Sequence, residues 1–204
     1  MRKRVRFVFS PSAAVVAVAM LACGLADGQA RDTPAPARGQ PPAATTARND
    51  PGPELARLDA LAGQWTVRQS MWPDPARPPV VDRGEATLTP VLGGRHLRQE
   101  LRIDSPKGAF HGLGYLGFDD AAQRYDSLWM DVNFNGMILA HGRYDPSKNS
   151  YELTGTVPDP GHRGAMLALR EVLRVRDADH FTFEYYERHD GRERLAVRLE
   201  YTRK

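Results

Sequence analysis

From residue 64 onward the chain alternates short runs rich in aromatic and branched residues with clusters of turn-forming residues. The runs fall at 64–72, 82–90, 95–104, 109–118, 123–132, 136–144, 149–157, 165–176, 180–188 and 192–203. Runs of this kind at intervals of roughly ten residues are the signature of an all-β domain. Along 195–201, Leu195, Val197, Leu199 and Tyr201 share one face while Ala196, Arg198 and Glu200 take the other. Phe181, Phe183 and Tyr185 likewise oppose Thr182, Glu184 and Tyr186. A period of two with one apolar face predicts antiparallel strands around an interior. The runs 109–118 and 136–144 lose that rhythm at Gly112, Gly114, Gly117 and Gly142, and glycine inside a strand marks a bend or the close approach of another group.

The connections, among them Leu92-Gly93-Gly94, Asp119-Asp120 and Asp190-Gly191, are short enough to favour antiparallel neighbours. A meander of about ten strands closes most readily into an up-and-down barrel, because closure removes exposed strand edges. One short helix precedes it, with Pro53 near its first turn, Leu55, Leu58 and Leu61 on one side, and Gly63 as its stop. Residues 54–204 are therefore expected to form a single antiparallel β-barrel of about ten strands with one short N-terminal helix.

The segment before it has a different character. Arg2, Lys3, Arg4 and Arg6 lead into an apolar run, Ala13 to Ala22, of the length of a signal-peptide core and about half of what a bilayer span needs. Cleavage after Ala30, with Gly28 and Ala30 as the small residues, makes 1–30 the signal peptide. A second site competes: Met20-Leu21-Ala22-Cys23 resembles the lipobox of bacterial lipoproteins, which makes 1–22 the signal and Cys23 the lipidated residue. Residues 31–53 hold no aromatic and no large aliphatic residue, so they cannot bury enough apolar area to offset ordering and read as a Pro/Ala-rich linker. An exported protein is expected, periplasmic or lipid-anchored to the bacterial envelope, touching a membrane only through such an anchor.

Charge changes the picture mainly by exclusion. Of 28 Lys and Arg and 25 Asp and Glu, seven basic and three acidic residues lie in 1–53, so the folded part is nearly neutral. The basic stripe that a nucleic-acid binder needs is not there. A single cysteine excludes a disulfide framework and a Cys-rich zinc site.

Gly63-Gln64-Trp65 resembles the Gly-x-Trp start of lipocalin-like (calycin) barrels, in which a basic residue near the last strand packs over that Trp at the closed end. Arg203 stands at the matching place, and a cation over an indole face is favourable. Longer pieces are similar to a bacterial family known only as domain of unknown function 1579. They are Leu61-Ala62-Gly63-Gln64-Trp65, Leu92-Gly93-Gly94-Arg95, the stretch from Phe110 to Asp119, Trp129-Met130-Asp131 and Tyr201-Thr202-Arg203. That resemblance implies a calycin-like barrel and no established activity. Fatty-acid-binding barrels carry a helical lid between their first two strands; here Trp72 to Pro79 is short and Pro-rich and fits no such lid. The longest irregular connection, Pro158 to Gly164, is placed to shade one barrel mouth.

Chemistry-bearing residues are few. The six histidines (His96, His111, His141, His162, His180, His189) form no His-x-x-x-His pair, and His162, His180 and His189 fall in turns or at strand ends. Met137, Leu139, His141 and Arg143 share one strand face, as do Tyr125, Ser127, Trp129 and Asp131 on the strand before. Glu171 interrupts the apolar set Leu167, Leu169, Leu173 and Val175; a buried carboxylate needs a partner, for which Arg143 or His141 are candidates. The expectation is non-catalytic binding or carriage of a small apolar or amphipathic molecule. Trp129, His141 and Tyr185 line the pocket, and Asp131, Arg143 and Glu171 orient the ligand.

Two alternatives stand beside it: an enzyme using Asp131 and His141 as an acid–base pair on a lipophilic substrate, and a structural envelope protein with a filled barrel. No Gly-x-Ser-x-Gly elbow is present, so nucleophilic catalysis has no visible carrier. Asp131, His141 and Glu171 are of metal-ligand type but lack ligand spacing, and no metal is expected. Nitrobindin-like barrels bind haem through one axial His; no motif singles one out here, and no cofactor is expected, haem being the alternative.

Overall fold

Helix α1 (Pro53–Asp59) enters a train of ten strands: β1 (Gly63–Met71), β2 (Val80–Val91), β3 (His96–Asp104), β4 (Phe110–Asp119), β5 (Arg124–Asp131), β6 (Phe134–Asp145), β7 (Ser150–Pro158), β8 (Met166–Asp177), β9 (His180–His189) and β10 (Arg192–Arg203). The computed structural model describes residues 52–204 except Lys107 and Arg163. The expected signal peptide, Cys23 and all but the end of the expected linker therefore lie outside the described residues. Each strand pairs antiparallel with its sequence neighbours and β1 pairs with β10, so the sheet closes on itself. The expected up-and-down barrel with one short helix is the observed fold, and the strand limits agree to within about two residues, the usual ambiguity of strand ends.

Closure at the helix end explains the Gly-x-Trp signal. Trp65 is 1% exposed, edge-on to Phe181 at 4.7 Å and to Tyr201 at 6.4 Å, beneath Leu58 and Leu61 from the α1 segment, which are also buried. Arg203 lies over the indole at 4.2 Å. Its guanidinium donates to the carbonyls of Ala62 (2.7 Å), Ala60 (3.1 Å) and Ala178 (2.9 Å). One cation thus covers an aromatic face and satisfies carbonyls where α1 ends, which otherwise have no intrahelical partner. Gly63 has φ +141°, and a Cβ there would stand 2.5 Å from Nη1 of Arg203. Glycine is required both by the backbone angle and by the space the arginine occupies.

One expected face is corrected. Between Leu195 and Val197 the β9–β10 register shifts: Leu195 opposes Tyr186, whereas Val197 opposes Tyr185. Tyr186 stacks with Arg170 on the outer wall, so Leu195 lies outside and the inward set begins at Val197. The extra residue of a bulge reverses the alternation, which a strict period of two does not anticipate.

Candidate functional site

The register divides the barrel interior into two tiers. Toward α1, the inward residues Leu88, Leu97, Leu101, Tyr125, Tyr151, Leu173, Leu199 and Tyr201 are all buried. Tyr125 meets Tyr151 edge-on at 4.8 Å, and Gln99 donates to the Tyr201 hydroxyl at 2.8 Å. This floor is a packed core. Toward the opposite end, Asp82, Ile103, Leu167 and Leu169 are also buried, whereas Gln69, Phe110, Trp129, Asp131, Ile138, Val157, Tyr185, Glu187 and Val197 are partly buried. The upper interior is therefore a cup that solvent reaches along only part of its wall.

Ser127 and Glu171 mark the boundary. Ser127 on β5 donates to Oε2 of Glu171 on β8 at 2.7 Å, and β6 and β7 stand between those strands in the wall, so the bond crosses the lumen. Glu171 is 5% exposed. Burial pushes its carboxyl above the ordinary carboxylate range, and the Ser127 hydroxyl offsets this only in part. Among the described residues it has no cationic partner.

Above this bond, Trp129 lies flat against the β4 wall. It fits there because Gly112 and Gly114 leave space: a Cβ on either would run into the indole. The ring stacks on Phe110 at 6.4 Å and 15°, and its Nε1 donates to Oδ2 of Asp131 at 2.9 Å. Oδ1 of Asp131 accepts from the backbone N–H of Asn133 at 2.8 Å. Tyr185 on β9 sits beside Glu171 across the β8–β9 ladder. Burial raises its phenol, and so do the negative charges of Glu187, Glu171 and Asp131. Asp131 is four strands away around the wall, so its field reaches Tyr185 across the cup. Glu187 is bonded to His189 at 2.8 Å at the lip. Asp82, facing inward opposite Gln69 on β1, is 9% exposed and has no side-chain hydrogen bond among the described residues.

Residues 50–203 match the family model described as protein of unknown function (DUF1579). The chain belongs to the DUF1579 family. No curated protein sequence matches it. Among solved structures, Rv2717c from M. tuberculosis shares 18% identity at a TM-score of 0.56, over 76% of this chain and 99% of that one; this likeness concerns the fold. A de novo designed fluorescence-activating β-barrel (15% identity, TM-score 0.40, covering 72% and 96%) and a redesigned β-barrel (13%, 0.38, covering 72% and 95%) are also similar.

Against the expected site, this DUF1579 barrel places Trp129, Asp131, Glu171 and Tyr185 on the inner face and brings them to one cup. His141 and Arg143 are corrected: both are exposed on the outer wall, beside Met137 and Leu139, themselves 62% and 59% exposed. The inward positions of β6 belong to Ile138, Ala140 and Gly142, which oppose Trp129, Ser127 and Tyr125. The β5–β6 register sets that phase, and shifting it by one residue would turn Ala140 and Gly142 outward. Asp131 and His141 consequently lie on opposite sides of the wall, and the expected acid–base pair does not form. Glu171 finds Ser127 rather than Arg143 or His141.

The trio Asp131, His141 and Glu171 is likewise divided by the wall. Among the described residues no group of three His, Cys, Asp or Glu side chains is placed to hold a metal ion. Haem needs an imidazole inside the lumen. His96 and His111 are on the outer face with His141, His162 is bonded to Asp159 in a turn and His180 to Asp177 at the start of β9, and His189 is engaged by Glu187 at the lip. The histidines present do not fit an axial ligand within the cup.

Ser127, Asp82 and Glu187 were missed as site residues. Ser127 and Glu187 each stand two positions from a residue singled out from sequence, on the same face, so the period of two was their available signal. The outer wall has a concavity of about 320 Å³ bounded by Lys148, Arg174, Glu184 and Arg198, but its charges are already paired, Arg198 and Arg174 with Glu184 at 2.7 and 3.9 Å and Lys148 with Asp145 at 3.0 Å.

Proposed function

We propose that this protein binds a small amphipathic molecule, without chemical turnover, in the upper half of its barrel. The observation that carries this is the difference between the two tiers: a core-like floor below the Ser127–Glu171 bond, and above it, beside the buried Ile103, Leu167 and Leu169, inward aromatic and carboxylate groups that are partly exposed. Sites for small molecules combine apolar walls with a few placed polar groups. Trp129, Phe110 and Tyr185 supply the walls, and Asp131 and Glu171 the orienting groups. Export, with release into the periplasm or anchoring through Cys23, belongs to the same proposal, because a carrier held near the envelope meets molecules that cross it.

Native mass spectrometry of the protein purified without detergent tests the reading. A co-purifying small molecule, released on denaturation, is expected. A clean protein mass that persists after incubation with envelope lipid extract would favour the barrel as a purely structural element.

A further inference from the structure

We infer that the outer face of β4, β5 and β6, beside the open mouth, is a docking surface for an anionic phospholipid bilayer, separate from any anchor at Cys23 and independent of what the lumen holds.

Outward positions on an antiparallel sheet that faces water are ordinarily polar. Elsewhere on this barrel they are: Arg68, Arg170, Arg198 and Glu200 stand there in ion pairs. On three adjacent strands they are not. Leu113 and Tyr115 of β4, Leu128 and Met130 of β5, and Met137 and Leu139 of β6 alternate with the inward Gly114, Trp129 and Ile138. Register joins them into one patch, with Leu113 opposite Met130, and Tyr115, Leu128 and Leu139 in a row. Val132, 63% exposed, carries the patch to the β5–β6 turn at the lip, where its N–H donates to the His111 carbonyl at 3.0 Å. From strand spacing and rise, the patch spans roughly 10 by 14 Å before its side chains are counted. A continuous apolar patch on an outer wall marks contact with another surface.

Charge at the border identifies that surface. The acids around the patch are engaged within the protein: Glu100 with Arg98 and Asp126 with Arg124, each at 2.9 Å, while Asp104 faces Arg83 across the β2–β3 ladder. Arg102 on β3 stands opposite Glu85, but Glu85 is taken by Lys204 at 2.6 Å. Arg143 on β6 stands opposite Glu152, which is turned to Arg170 at 3.7 Å. Both arginines are exposed and have no ion-pair partner among the described residues, so the free charge on the two flanks is positive. A second copy of the chain, placed face to face, would bring the same two arginines and the same engaged acids. A layer of anionic headgroups answers both cations, and the leucine, methionine and valine side chains then enter the headgroup–acyl boundary. Arginine suits this place, because its stem lies along apolar surface while the guanidinium reaches phosphate. With Val132 at the lip, docking by this face brings the open end of the barrel to the headgroups.

A fluorescent label on the patch tests the assignment in the full chain. Cys23→Ser removes the only cysteine and with it any acyl anchor. In that background Val132→Cys carries one environment-sensitive fluorophore at the patch, and Thr202→Cys, exposed on β10 at the far side of the barrel, carries it as the control. Each is titrated with vesicles of phosphatidylcholine alone and of phosphatidylcholine with one-third phosphatidylglycerol. A blue shift is expected at the Val132 site on the anionic vesicles only, and none at the Thr202 site. Arg102→Glu with Arg143→Glu should weaken the apparent affinity at least tenfold, and Met137→Glu with Leu139→Glu should abolish the shift. All four positions are exposed, and far-ultraviolet circular dichroism checks that the variants fold; if the β6 glutamate pair does not, Met137→Ser with Leu139→Ser supplies the same readout. No shift at the Val132 site, equal shifts at both sites, equal response to neutral vesicles, or affinity that survives reversal of the arginines overturns the assignment. A shift that appears without vesicles and grows with protein concentration identifies a second copy as the occupant and overturns it as well.

Discussion

The hydroxyl of Ser127 and the carboxyl of Glu171 meet at 2.7 Å across the lumen, and this one bond separates the packed floor of the barrel from the open cup above it. Glu171 is held there against its own solvation: burial raises its pKa from the ordinary 4.5. The folded state therefore keeps a proton that the unfolded chain releases as pH rises past about 4.5, and stability falls with rising pH from that point until Glu171 ionises in the folded state as well. Glu171→Gln removes this dependence. The variant should match the wild type below the carboxylate range and exceed it at neutral pH by about 1 kcal/mol, the scale of relieving a poorly satisfied buried group. Thermal melts across pH check it, and a variant less stable than the wild type at pH 8 would contradict the account.

Ser127→Ala acts in the opposite sense. It leaves Glu171 buried with no hydrogen bond, and a loss of about 1–2 kcal/mol is expected at neutral pH. The loss should shrink in the Glu171→Gln background if the two side chains act as a pair, which a double-mutant cycle measures.

Arg203 joins the end of the last strand to the α1 segment through three carbonyls and the Trp65 face. Arg203→Met keeps much of the side-chain volume but loses these interactions, and is expected to destabilise by about 2–3 kcal/mol in chemical denaturation. A change within experimental error would show that the closed end does not depend on the arginine.

Gly114→Val places a branched side chain where the six-membered ring of the Trp129 indole now lies. The ring must leave the β4 wall and enter the cup. Altered near-ultraviolet circular dichroism with an intact far-ultraviolet spectrum is expected, together with at least a tenfold loss of affinity for any ligand seated against Trp129, since overpacking typically costs about 1–3 kcal/mol. Unchanged affinity would remove Trp129 from the binding surface.

His141→Ala and Arg143→Ala, by contrast, alter only the outer wall. Each should change stability by less than about 0.5 kcal/mol and leave ligand titrations unmoved. A marked loss of binding in either would challenge the assignment of the lumen as the site.

The barrel was legible in the sequence because the information that specifies it is local. Alternation such as Phe181, Phe183, Tyr185 is written in adjacent residues, turn chemistry such as Asp190-Gly191 sits where the chain reverses, and Gly63, Trp65 and Arg203 pointed to the closed end through their resemblance to lipocalin-like barrels. The same local rule correctly grouped Trp129 with Asp131, and His141 with Arg143. It had no means of saying which group faced inward, because Met137 and Leu139 made the wrong side of β6 look apolar while Ala140 and Gly142 made the right side look empty. That choice depends on the register between β5 and β6 and on the volume left between opposing walls, in which Ala140 and Gly142 face Ser127 and Tyr125. The bulge that turns Leu195 outward and the bond from Ser127 to Glu171 are of the same kind. Periodicity within a strand determined that some residues share a face; only closure of the sheet, which brings walls four strands apart to either side of one small volume, decided which faces meet.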